Sequence, residues 1–338
     1  MMRLWVVASG EIGRMSLLVA DIGGTNVRFG VAADAVAPLT NVQIMTCATY
    51  PSFADAIAAF LAPLDVTINY LSVAVAGPVN NDLIDVTNNH WVFDKVDLMQ
   101  QLGIDGILVV NDFTAQALAQ SDPTANGNIQ ICGGSSNPVA PLLVIGPGTG
   151  LGVSALIPSG DDFVPIEGEG GHVTFAPRTT DEIALLEFLS QTMPHVSAEC
   201  IVSGAGLENV YAFMVDRVAN TNIPARLDAP NIGAAAVADF GIARDAVYLM
   251  LGSLATVIAN AVLTMGTWRG VVITGGIVPH FQSLLDDSPF EARFRHHGRM
   301  GSLLKAIPIW LSVDPLAGIK GAQAAVSNHF TATRMKRK

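Results

Sequence analysis

Two stretches of this chain combine glycine turns with oxygen-rich side chains in a way that suits phosphate chemistry. Leu17 to Gly30 reads as two apolar strands joined by Asp21-Ile22-Gly23-Gly24-Thr25-Asn26, with Asp21 at the end of the first strand. Glycines let the backbone turn tightly and approach a ligand, so that successive N–H groups converge on phosphate oxygens. Asp21 supplies a hard oxygen ligand for Mg²⁺, directly or through its water shell. No lysine follows the glycines and the chain continues as a strand, so this is not the P-loop. An Asp-x-Gly-Gly turn is also an ordinary hairpin connection. What raises it above that is a second copy at Leu142 to Val153, where Gly146-Pro147-Gly148-Thr149-Gly150 repeats the strand, turn and strand. Gly146 stands where Asp21 stands in the first copy. A duplicated scaffold is expected, with metal-linked chemistry at one hairpin and phosphate held by backbone alone at the other.

A second group of residues could handle a proton and a polyol. The strand Ile107 to Val110 ends in Asn111-Asp112 and a helix follows from Phe113 to Gln120. A carboxylate at the carboxyl end of a strand in an α/β sheet faces the ligand crevice, which suits Asp112 to a general base for a substrate hydroxyl attacking phosphorus. The same position also suits a helix N-cap, and the local sequence leaves both open. Glu167-Gly168-Glu169-Gly170-Gly171-His172 puts two acids and an imidazole on a glycine-rich loop, a density of hydrogen-bonding groups that matches sugar hydroxyls; a metal site or a plain solvated loop are the rivals. Glu199 could add a carboxylate or lie on a helix surface. Val271 to Thr274 reads as a buried strand breaking into Gly275-Gly276, where bare backbone lets a flat base or ribose lie close. Arg293, Arg295, His296, His297 and Arg299 form a basic cluster, expected to be a solvated face.

The elements needed to position these groups are those of an α/β protein. Strands are expected at 17–22, 27–33, 42–46, 70–76 and 107–110, with helices from Ser52 to Leu61 and from Asp94 to Leu102. Helices follow at 181–191, 205–219, 241–265 and 315–328, with a glycine-rich loop at 167–171 and a strand at 271–274. The 338 residues, 50% hydrophobic and 14% charged, allow two domains. The net charge of −11 speaks against a nucleic-acid partner, and the tail Arg334 to Lys338 is expected to fray in solvent. Three dispersed cysteines, Cys47, Cys132 and Cys200, fit neither a disulfide framework nor a zinc cluster and imply a reducing compartment. Residues 1–14 read as an extension before the first strand, too weakly patterned for a signal peptide. Ala246 to Met265 is twenty residues without a charge, long enough to cross a bilayer, but its Gly252, Ser253, Thr256 and Asn260 favour a helix buried within a large domain.

Taken together and in order, Asp21-Ile22-Gly23-Gly24-Thr25-Asn26, Thr87-Asn88-Asn89-His90-Trp91, Asn111-Asp112-Phe113-Thr114-Ala115, Gly148-Thr149-Gly150-Leu151-Gly152, Gly168-Glu169-Gly170-Gly171-His172-Val173, His195-Val196-Ser197-Ala198-Glu199 and Gly275-Gly276-Ile277-Val278-Pro279 resemble the bacterial glucokinase family of the sugar kinase, Hsp70 and actin superfamily. The resemblance spans Met15 to about Asn328. It implies a two-domain, ribonuclease H-like α/β fold with an interdomain cleft, divided into residues 15–122 plus 313–330 as the smaller domain and 123–312 as the larger. It implies ATP-dependent phosphorylation of glucose at O6, with Asp112 as base and Asn111, Asp112, Glu169, His172 and Glu199 holding the sugar. ATP with Mg²⁺ would lie against Ala20, Asp21, Ile22, Gly23, Gly24, Thr25, Gly148, Thr149 and Gly150, with adenosine near Gly275 and Gly276 and Asp21 toward the metal. A cytoplasmic homodimer without nucleic-acid or membrane partners is the family expectation; another hexose or a non-catalytic sugar sensor are the alternatives. Cys200 stands where the pattern has a basic residue, and no cysteines follow His172, which disfavours the zinc-bearing repressor and sugar-kinase branch.

Overall fold

A computed structural model of the chain describes residues 16–124, 127–218, 224, 226–238 and 241–338; the extension expected at 1–14 lies outside them. In chain order the first part builds β1 (Leu17–Ile22), β2 (Asn26–Ala32), β3 (Thr40–Thr46), α1 (Phe53–Leu61), β4 (Tyr70–Val75), the small hairpin β5 (Leu83–Asp85) and β6 (Val92–Asp94), α2 (Lys95–Leu102), β7 (Gly106–Asn111) and α3 (Asp112–Ala119). The second part comprises β8 (Ile129–Cys132), β9 (Leu142–Pro147), β10 (Leu151–Ser159), β11 (Asp162–Gly168), α4 (Thr180–Ser190), α5 (Gly204–Asp216), α6 (Ala229–Ala238), α7 (Ile242–Met265), β12 (Gly270–Ile273), α8 (Phe290–Arg295), α9 (Gly301–Lys305) and β13 (Ile309–Leu311). α10 (Ala317–Ser327) and β14 (Lys336–Arg337) close the chain.

The strands form two six-stranded sheets ordered β14-β7-β4-β1-β2-β3 and β11-β10-β9-β12-β13-β8. Each is a meander of three antiparallel strands continued by parallel neighbours and closed by an antiparallel edge, so the duplication expected from the two hairpins extends to whole-sheet topology. β1 and β9 are buried along their whole length, as central strands covered on both faces must be. Register then aligns the strand ends. Ile22 lies beside Val75, which lies beside Asn111, and Ile145 lies beside Ile273, which lies beside Leu311. The turns that leave these ends sit on the carboxyl edges, where α/β sheets bind ligands.

Three apolar clusters hold the layers. One lies under α1 and α2, one under α5, α6, α7 and α8, and a third joins the two sheets through Leu17, Val19, Leu142, Val144 and Ile319. α10 packs on α3 so closely that a side chain at Gly321 would overlap the Ala115 carbonyl, and Ser72 Oγ donates to Ala322 O at 2.6 Å. α7 contains the uncharged stretch and is 24 residues long; it packs against α5, α6 and α8 and is largely buried within the second part, as a core helix would be.

Two expectations are corrected. The tail does not fray. Lys336 and Arg337 pair with Ile107 and Gly106 on the free edge of β7, and Lys336 Nζ reaches Asp82 Oδ2 at 2.9 Å. Nor is the basic cluster wholly a solvated face: Arg293 turns inward to Glu182 at 3.0 Å, with 13% and 2% of the two side chains exposed. Glu182 also closes a capping box with Thr179 at the start of α4, so the arginine completes a carboxylate already bound to backbone N–H groups.

Candidate active site

The β7 to α3 junction removes one of the two readings left open at Asp112, that of the helix cap. Asn111 is the N-cap, its Oδ1 accepting from Phe113 N at 2.9 Å and Thr114 N at 3.3 Å. Asp112 is therefore the first helical residue, and its carboxylate is not the helix cap; Phe113 N reaches it at 2.9 Å, and its own backbone N–H bonds it too. Burial pushes its carboxyl up from the ordinary 3.8 to about 7, with the Phe113 N–H opposing and the charges of Asp21 and Glu169 adding to the rise. Asp21 ends β1 in the same sheet as β7, and Glu169 follows β11 in the other sheet, so both sheets bring a carboxylate within electrostatic reach of Asp112. A carboxylate held near neutrality is poised to take and return a proton.

Asp21 sits at the end of β1, buried, with its pKa raised by burial and opposed by Arg28. Arg28 lies directly across the hairpin and reaches Asp21 Oδ2 at 3.3 Å. The turn is braced from outside by Asn89 Nδ2, which donates to Gly23 O at 3.0 Å. Gly23 is half-buried and Gly24 and Thr25 are exposed, whereas the side chains of Ala20 and Ile22 are sealed in the core and leave only backbone for a ligand. A cavity of about 330 Å³ brings Asp21 and Arg28 together with Thr274, Gly275, Gly276, Asp314 and Gly318. A side chain at Gly318 would strike the Asp21 carboxylate, so the absence of a Cβ there keeps that carboxylate open to the cavity. Thr274 Oγ1, buried in the same wall, has no hydrogen-bond partner, a donor available to whatever enters.

The second hairpin is positioned by α5: Gly204 N, at that helix's start, donates to Gly148 O at 2.9 Å, and Gly148 N bonds Gly150 O at 2.8 Å across the turn. Glu199 is not a helix-surface residue. Its Oε2 accepts from Leu151 N at 2.8 Å, and a side chain at Gly150 would collide with it. Glu169 and His172 lie on a tight turn closed by His172 N to Glu169 O at 3.0 Å, both side chains exposed, while His195 Nε2 donates to His172 O at 3.0 Å. Glu167 faces elsewhere. It accepts from Thr114 Oγ1 at 3.1 Å and pairs with Arg334 at 2.6 Å.

The sequence reading missed Arg28, Thr274, Gly318 and the brace from Asn89. Arg28 could have been found by counting across the hairpin, since a two-strand register puts it opposite Asp21; Thr274 carried no signal beyond its place before two glycines.

Among the described residues no cluster of three or more histidines, cysteines or carboxylates is arranged to hold a metal ion.

A family model described as Glucokinase matches residues 18–329. The glucokinase of Neisseria gonorrhoeae is 38% identical over 315 residues, covering 93% of this chain and 95% of that protein. The glucokinase of Campylobacter jejuni subsp. doylei is 37% identical over 316 residues, covering 93% and 94%. Among solved structures, a glucokinase from an Antarctic psychrotroph superposes with a TM-score of 0.78 at 28% identity, covering 92% of this chain and 98% of that one. With a family model spanning nearly the whole chain and relatives of this identity and coverage, the chain belongs to the glucokinase family and has its two-domain sugar kinase, Hsp70 and actin-like fold.

Proposed function

We propose that this chain phosphorylates D-glucose at O6 with ATP, giving glucose 6-phosphate and ADP. The observation that carries the reading is the Asp112 carboxylate, released from capping by Asn111 and raised to about 7 within reach of the charges of Asp21 and Glu169. Asp112 accepts the O6 proton as O6 bonds the γ-phosphorus and the bond to the bridging oxygen of ADP breaks. Asn111 Nδ2, Glu169, His172 and Glu199 orient the sugar hydroxyls, and the backbone of Gly23 to Thr25 and Gly148 to Gly150 cradles phosphate. Arg28 and the open face of Asp21 suit a triphosphate with Mg²⁺: Asp21 would hold the ion directly or through water, and the ion supplies charge neutralisation on the phosphates. Adenosine fits beside Gly275 and Gly276.

The two sheets support a division into residues 15–122 plus 313–330, to which the pairing of β14 adds the chain's last residues, and residues 123–312, closing over the sugar so that water does not compete for the phosphoryl group. The acidic net charge supports partners limited to small molecules, and the free cysteines support the cytoplasm. The homodimer rests on the family alone and is read by sedimentation. A panel of glucose, mannose, fructose and glucosamine with Mg·ATP, followed by ADP release, tests the function. Highest kcat/KM on glucose is expected; a higher value on another hexose makes the protein a kinase of that sugar, and sugar binding without ADP release makes it a sensor.

A further inference from the structure

Phe113 follows the proposed base in sequence and is not among the residues that make up the three apolar clusters. It lies instead over the second hairpin. Gly146 and Gly152 face each other directly in the β9 and β10 ladder, so side chains there would project from the same face. A side chain at Gly152 would overlap the Phe113 ring, and one at Gly146 would come within 2.9 Å of its Cζ. The glycine pair is thus a notch that the ring fills. On one side of the contact Asp112 is a single residue away; on the other, the Gly148–Gly150 turn lies between the two glycines. Thr114, next along α3, adds a second tie across the same boundary through its hydroxyl to Glu167 at the end of β11.

We infer that Phe113 is a positioning residue for phosphoryl transfer, seating the helix that carries Asp112 against the glycine notch that flanks the Gly148–Gly150 turn. The inference rests on the reading of Asp112 as base and of that turn as a phosphate cradle. Its physical content is alignment. In-line attack needs the base and the phosphate held in one frame, and a displacement of about 1 Å costs on the order of 10²-fold in rate. The ring sets that frame without touching either substrate, so its loss acts on the chemical step and leaves sugar binding in place.

The test uses the full chain in four variants: Phe113→Ala, Phe113→Leu, Gly152→Ala and the double variant Phe113→Ala with Gly152→Ala. For each, kcat at saturating glucose and ATP, the glucose Kd by calorimetry and the melting temperature are measured. Phe113→Ala is expected to lower kcat by about 10- to 100-fold with glucose Kd unchanged, and Phe113→Leu to restore most of the rate by refilling the notch. Gly152→Ala, whose methyl competes with the ring, is expected to lower kcat in the wild-type background and to have little further effect once the ring is gone. Wild-type kcat in Phe113→Ala overturns the inference, as does a glucose Kd that weakens in step with kcat. Should Phe113→Ala fail to fold, wild-type kcat in both Phe113→Leu and Gly152→Ala does the same. Asp112→Asn is assayed alongside. If it keeps its activity, the underlying reading of the base fails; if it is inactive while Phe113→Ala is not, only the positioning role fails.

Discussion

Replacing Asp112 by Asn should impair catalysis and, at alkaline pH, strengthen the fold. Burial holds the Asp112 carboxyl at about 7 against an ordinary 3.8. A pKa raised in the folded state contributes stability that is complete below pH 4, where folded and unfolded chains are both protonated. It is lost between 4 and 7, as the unfolded chain releases a proton that the folded chain retains. At about 1.36 kcal/mol per pH unit the ceiling is about 4 kcal/mol, and partial exposure of the residue reduces this to about 1 to 2 kcal/mol. Asn carries no charge to desolvate, so the variant escapes that loss. It gives up the favourable interaction of a carboxylate with the first turn of α3, about 0.3 to 1 kcal/mol. The difference is a net gain of about 1 kcal/mol at pH 8 and none at pH 4. Denaturant unfolding at the two pH values reads this directly. In parallel, wild-type kcat should rise with pH through about 7 as the base ionises, while the variant shows no such rise and a kcat lower by about 10² to 10⁴. A folded variant that keeps most of its activity, or one destabilised equally at both pH values, would refute the argument.

Glu169→Gln and His172→Ala should weaken glucose binding by about 1 to 3 kcal/mol each, seen by calorimetry, with the melting temperature unchanged because both side chains are exposed on a turn. Unaltered glucose KM and kcat would remove them from the sugar site. Glu182→Ala should destabilise the protein by about 3 to 5 kcal/mol, because it strands the part-buried Arg293 and removes the Glu182 half of the α4 capping box; denaturant unfolding within about 1 kcal/mol of wild type would mean the bridge behaves as a surface pair.

The hairpins were legible because glycine and aspartate at a strand end have few other uses, and the parallel strands because their apolar runs permit little else. The role of Asp112 was legible only as a choice. Asn and Asp cap equally well, and just the backbone of α3 shows that Asn111 took that task. β11 was missed because it is an edge strand containing Pro165 and two acids, a composition that an edge tolerates and that sequence reads as loop. β14 was hidden for the opposite reason. Two basic residues have no strand propensity, and their pairing is supplied by the free edge of β7 and by Asp82. Glu167 and Glu169 are the same residue type on the same glycine-rich stretch. They part company because the strand ends at Gly168 and the next residue leaves extended geometry, a change with no counterpart in residue type.

The duplication gives the divergence of the two hairpins a physical meaning. Asp21 pairs with Arg28 across the first turn, and Gly146 pairs with Gly152 at the corresponding place in the second. In the first copy the pair is ionic, spans 3.3 Å and opens on the cavity shared with Gly275 and Gly276. In the second copy both side chains are gone, and the space is taken by a ring from α3. A carboxylate at position 146 would meet the Phe113 ring and Thr274 with no cation opposite it, an unpaired buried charge that a protein interior does not tolerate. The glycine pair therefore leaves the space in which the Phe113 ring, one residue from Asp112, seats against the second hairpin.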